Sequence, residues 1–145
     1  IGFPRIGAQR ELKFVTEKYF RGKVSIDSLN ETACNLRKKH WLLQKNSGLN
    51  LITVNDFSLY DTTVDTAVLF NVIPRRYHRL GLNPLDTYFA MARGYQGVHG
   101  DVKALSMKKW FNTNYHYMVP ELEDDMNIKL TGTEIIDECK EALAV

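Results

Sequence analysis

Cysteine is scarce in this chain. Cys34 and Cys139 are the two present in 145 residues, and they lie far apart. That scarcity excludes a disulfide-stapled small fold and any CxxC metal or redox motif. Both read as buried thiols of an intracellular protein, with a disulfide between them as the alternative reading. Histidine is also sparse, and His40, His78, His99 and His116 show neither HxxxH nor HExxH spacing. The sequence therefore offers no zinc signature of its own. No apolar run approaches the roughly 20 residues of a membrane span, and no signal-peptide pattern precedes the first element. There is no GxGxxG, no internal repeat and no low-complexity tract. An excess of one charge is missing too. Lys and Arg number 19 against 17 Asp and Glu, a net +2, too little to make nucleic acid the main ligand. Any anion site must be a local cluster.

What is present fits one globular domain: 44% hydrophobic and 25% charged residues is ordinary composition for that class. Residues 2–6, 51–54 and 115–119 read as strands, with 128–130 as a short extended piece. Residues 10–21 read as a helix with Leu12, Val15 and Tyr19 on one face. Ser25 is placed to cap a long helix whose buried stripe is Leu29, Ala33, Leu36, His40 and Leu43. Helices are expected over 61–71, from Pro84 to Gly94, and over Ala104 to Phe111. A glycine-rich loop is expected at 95–103. Thr131-x-x-Glu134 has capping-box spacing for a last helix burying Ile135, Ile136, Cys139 and Leu143. Strands alternating with helices predict βα units and a parallel α/β sheet.

In such folds working residues sit at strand ends and in the loops that follow. Arg10 and Lys13 stand three apart at a helix start, where amides and dipole favour an anion. They read either as a solvated face or as an anion site. Asp56 and Asp61 flank Phe57-Ser58-Leu59-Tyr60. They are expected to orient an arginine, cap a loop or cap a helix rather than to form an acid–base pair. His40 reads as a core histidine. Trp110 and Phe111 are expected in the core, Lys109 on the surface and Asn114 at a turn or cap.

Three runs occur together: Gly2-Phe3-Pro4-Arg5-Ile6-Gly7-Ala8-Gln9-Arg10-Glu11-Leu12-Lys13, Asn55-Asp56-Phe57-Ser58-Leu59-Tyr60-Asp61, and Lys109-Trp110-Phe111-Asn112-Thr113-Asn114-Tyr115-His116-Tyr117. In order and spacing they resemble the amino-terminal part of the cobalamin-independent methionine synthase family, over nearly the whole chain. The resemblance implies the opening part of a (β/α)8 TIM-type barrel, incomplete here, so that residues 1–145 are a fragment of a longer two-barrel cytoplasmic protein. It implies a methyltransferase that moves a methyl group from 5-methyltetrahydropteroyltriglutamate to homocysteine, forming methionine without cobalamin. Arg10, Glu11, Leu12, Lys13, Lys109 and Asn114 would bind the folate triglutamate tail, and no catalytic residue would lie in this segment. Zinc and the homocysteine site would belong to the carboxy-terminal barrel, a partner of this one. The chain departs from the family pattern in Gln9, in the short loop near 95–103 and in the acidic run 121–127. None of these touches the tail residues. Two other readings stand beside this one: a degenerate barrel that only braces the catalytic one, and an unrelated α/β small-molecule enzyme using Arg5, Asp56 and His116.

Overall fold

A computed structural model of the chain describes residues 2–145. Among them are α1 (Glu11–Phe20), α2 (Ile26–Asn46), α3 (Thr62–Leu69), α4 (Arg75–His78), α5 (Pro84–Arg93) and α6 (Glu134–Leu143). The strands are β1 (Tyr95–Gly97), β2 (Gly100–Val102), β3 (Met107–Lys109) and β4 (His116–Met118). The chain divides into two compact units, residues 2–59 with Thr133–Val145, and Tyr60–Gly132.

The first unit is helical. Ser25 Oγ accepts the backbone N–H of Ser28 at 3.2 Å and starts α2 as the sequence predicts. Leu29, Ala33, Leu36 and His40 of the expected stripe are buried. Leu43 is not; it is 52% exposed, and Trp41 and Gln44 turn inward instead. Leu12 of α1 is buried in this unit, and α1 packs on α2. A fully buried leucine contributes about 1.5–3 kcal/mol, so Leu12, Leu29 and Leu36 form the main anchor. His40 is a core residue, stacked on Phe3 with ring centroids 4.4 Å apart. Burial, more than any charge, pushes its pKa down.

Two corrections fall in this unit. Residues 2–6 and 51–54 enter no strand ladder. The first segment is held by side chains instead: Phe3 N–H donates to Asp56 Oδ2 at 2.8 Å, and the Arg5 guanidinium donates to the Leu59 carbonyl at 2.8 Å. The last helix does not bury the apolar residues expected of it. Ile135 is 49%, Ile136 54% and Leu143 88% exposed, because α6 meets the unit through its polar side. Arg37 forms a two-pronged pair with Glu141 at 2.8 Å, Asn55 N–H donates to Glu138, and Lys45 Nζ donates to the Val145 carbonyl.

The second unit holds all the described strands, and their pairing is antiparallel. β1 pairs with β2 (Tyr95 opposite Val102), and β3 with β4 (Lys109 opposite His116). The expected parallel pairing of 2–6, 51–54 and 115–119 is therefore absent among the described residues. Local closure explains the difference. The expected loop at 95–103 is a hairpin turning at Val98-His99, and the expected helix over Ala104 to Phe111 is the first arm of a second hairpin. Gly94 lets the chain leave α5 at φ 79, where a Cβ would press on the Val102 carbonyl at 2.9 Å. Pro84 takes the first turn of α5 as predicted, and Asn83 Oδ1 adds a cap by accepting Asp86 N–H.

Asp61 caps α3 through the N–H groups of Thr63 and Val64, at 2.9 and 3.0 Å. Its other oxygen accepts Met118 N–H of β4 at 3.2 Å. Thr131 is not the cap of α6, which Thr133 precedes. Its hydroxyl donates to the Val68 and Leu69 carbonyls instead. The segment 128–130 forms no strand, although Lys129 N–H bonds the Phe70 carbonyl. The acidic run is tied down by cations: Arg75 pairs with Glu123 and Asp125, and Arg76 with Glu121.

Candidate functional site

The first predicted cluster lies where the chain turns into α1. Gly7 is at φ 86 and Arg10 at φ 59, both left-handed. For a residue with a side chain that conformation costs about 1–2 kcal/mol, so the turn needs something to hold it. Arg10 N–H donates to the Gly7 carbonyl at 3.0 Å. Glu11 Oε2 accepts Gln9 N–H at 2.9 Å. The Glu11 carboxyl is held below its ordinary pKa first by its own backbone N–H, then by that of Gln9 and by Lys39. Lys39 Nζ stands 3.8 Å from Glu11 Oε1. A Cβ on Gly7 would overlap this carboxylate and meet Leu36.

The helix start thus carries an anion already, supplied by the chain itself. Sequence reasoning found the electropositive corner and missed its occupant. The available signal was a glycine four residues ahead of an acid in the first helical turn. Leu12 is 1% exposed, and its N–H is taken by the Ile6 carbonyl. Arg10 and Lys13 are exposed. No side-chain capping bond is made by Arg10, and Lys13 lies 3.8 Å from Glu17 one turn on. An exposed pair of that length is weak, about 0.3–0.5 kcal/mol, so a stronger anion can draw Lys13 away.

The second cluster lies in the other unit, on the hairpin β3–β4. Lys109 ends β3, and Asn114 sits in the connecting turn; both are exposed. Trp110 N–H donates to the Tyr115 carbonyl at 2.7 Å, and Phe111 is left-handed at φ 52. Placed in that turn, Trp110 is 49% and Phe111 91% exposed, which corrects their expected place in the core. The Trp110 ring packs at a tilt against Tyr117 of β4, with ring centroids 4.5 Å apart. Lys109 and Asn114 share one hairpin, as Arg10 to Lys13 share one helix start.

The remaining candidates have structural tasks. Asp56 fixes the Phe3 backbone, Arg5 the carbonyls of Ser58 and Leu59, and Asp61 the α3 start. His116 is exposed opposite Lys109. Cys34 and Cys139 are free thiols, half-buried rather than fully buried. Among the described residues no three His, Cys, Asp or Glu side chains gather as a metal site requires, so these residues do not fit a zinc ion. Among the described residues no helix is long and apolar enough to cross a membrane.

The sequence pattern of the cobalamin-independent synthase N-terminal domain matches residues 1–145. The chain belongs to that family. Similar proteins in the family include 5-methyltetrahydropteroyltriglutamate–homocysteine methyltransferases of Streptococcus suis, Bifidobacterium animalis subsp. lactis and Campylobacter jejuni subsp. doylei. Each is 58% identical over 142 residues, covering 97–98% of this chain. The chain spans only 18–19% of those relatives' length.

Proposed function

We propose that this chain is part of a methyltransferase that transfers the methyl group of 5-methyltetrahydropteroyltriglutamate to homocysteine, and that its own contribution is to the donor's triglutamate tail. The names of its 58%-identical relatives carry the reaction. Two exposed cations at the start of α1 carry the tail assignment, because a triglutamate offers several carboxylates and little else to recognise. Arg10 and Lys13 are the contacts in this corner. Lys109 and Asn114 are read as a separate set of tail contacts, a cation and an amide on a hairpin. Methyl transfer itself, the homocysteine site and the zinc that activates its thiol are assigned to the carboxy-terminal barrel of a longer, cytoplasmic protein. In this reading residues 1–145 open a (β/α)8 barrel.

The test is Lys13→Ala in the full-length enzyme. A charge-assisted hydrogen bond is worth about 1.5–3 kcal/mol, so affinity for the triglutamate donor should fall about ten-fold or more. A monoglutamate donor should be affected far less, and part of the difference should vanish at high salt. Equal losses for both donors would refute tail recognition. The Lys13–Glu17 pair would then favour the second reading, a segment that only braces the catalytic barrel.

A further inference from the structure

Family resemblance treats Arg10, Glu11, Leu12 and Lys13 as one binding run, yet Glu11 points the other way from its neighbours. Its carboxylate folds back over the preceding turn and accepts Gln9 N–H. The space it fills is the space a side chain on Gly7 would need. Arg10, between that turn and the helix, is left-handed with no capping bond of its own. A carboxylate is also the wrong partner for a ligand made of carboxylates, since like charges at close range repel.

We infer that Glu11 is a positioning residue and not a ligand contact: by closing the Gly7–Gln9 turn it fixes the left-handed Arg10 backbone and so presents Arg10 and Lys13 together to a polycarboxylate. This rests on the tail-binding reading proposed above. Glu11 acts as an internal stand-in anion. It satisfies the electropositive helix start, leaving the ligand to be held by the side chains of Arg10 and Lys13 rather than by helix amides. Removing the acceptor should free the turn, let Arg10 leave φ 59 and uncouple the two cations. Removing the charge alone should not, because a glutamine oxygen can still accept Gln9 N–H.

The experiment compares dissociation constants for triglutamate and monoglutamate 5-methyltetrahydrofolate in the full-length enzyme. The variants are Arg10→Ala, Glu11→Ala, Glu11→Gln and the double Arg10→Ala/Glu11→Ala. Glu11→Ala should weaken the triglutamate form about ten-fold, as Arg10→Ala does, and the monoglutamate form much less. Glu11→Gln should stay within about three-fold of the parent. The double variant should be no more than about two-fold weaker than the worse single one, because residues acting as a unit are not additive. Losses that multiply in the double variant would overturn the inference, as would tighter triglutamate binding by Glu11→Ala. If Glu11→Ala fails to fold, by circular dichroism, Glu11→Gln decides alone. A ten-fold loss there would make the charge itself the contact. An Arg10→Ala variant that treats both donors alike sinks the tail reading and this inference together. Discrimination by Arg10→Ala with none by Glu11→Ala sinks only this one.

Discussion

Helices α2 and α6 lie in the same unit and look alike as sequence, each with apolar residues at helical spacing, yet they are held in opposite ways. α2 turns Leu29, Ala33, Leu36 and Trp41 inward, and of its charges Arg37 is drawn in, with its side chain 16% exposed. α6 has no buried residue; it turns Glu138 and Glu141 toward Asn55 and Arg37 and leaves Ile135, Ile136 and Leu143 exposed. Periodicity marks which residues share a face. It does not say which face finds a partner, because that depends on what the neighbouring surface offers. Here α2 offers α6 an arginine, Arg37, stacked over Phe57 at 5.4 Å.

The comparison can be broken at four points. The largest effect is expected in α2, where Leu29→Ala should cost about 2–5 kcal/mol as a cavity in the core, read from chemical denaturation. A cost under about 1 kcal/mol would mean that α2 is not the anchor. Next is Arg37→Met, which leaves Glu141 without its two-pronged partner and should cost about 1–2 kcal/mol after allowance for solvent. Hydrogen exchange should quicken in 134–143 and stay unchanged in 26–36. Equal quickening in both would show that the two helices unfold as one.

The third test concerns pH. Burial raises the Glu138 pKa above its ordinary 4.5, against the lowering effects of the Asn55 N–H and Arg37. A carboxyl whose folded pKa exceeds its unfolded value opposes folding when both states are ionised, and that opposition fades as pH falls through the folded pKa toward 4.5. Glu138→Gln should therefore raise stability at pH 7, and the gain should be gone at pH 4. A gain that persists at pH 4 would trace it to packing instead of charge. The smallest effect is expected for Leu143→Lys, within about 0.5 kcal/mol of the parent. A larger loss would mean that the exposed side of α6 is covered.

Much of the local structure was legible. Ser25, Asp61 and Pro84 mark helix starts correctly because a cap or a first-turn proline acts within two or three residues; the Asn83 cap came only from the structure. The hairpins were not. Ala104 to Phe111 contains good helix formers, but Met107–Lys109 pairs with a strand seven or more residues away, and propensity yields to pairing at that range. Trp110 and Phe111 were misplaced with it, since their position follows from the turn. At the candidate site Arg10 and Lys13 were legible as a cationic corner. The inward fold of Glu11 was not, because sequence spacing fixes a residue's place on a helix and not the rotamer of its side chain.

Asp61 joins two events that a chain usually keeps separate. One oxygen starts α3, a matter of two or three residues; the other reaches Met118, 57 positions away. A carboxylate shared in this way makes the two reciprocal. If the β3–β4 hairpin swings away, the α3 start loses a restraint on its capping carboxylate; if the first turn of α3 frays, the hairpin loses a tether. Lys109 and Asn114 ride on that hairpin. Their mobility is therefore tied to the integrity of a helix they do not belong to, and a probe placed on Thr63 would report on it.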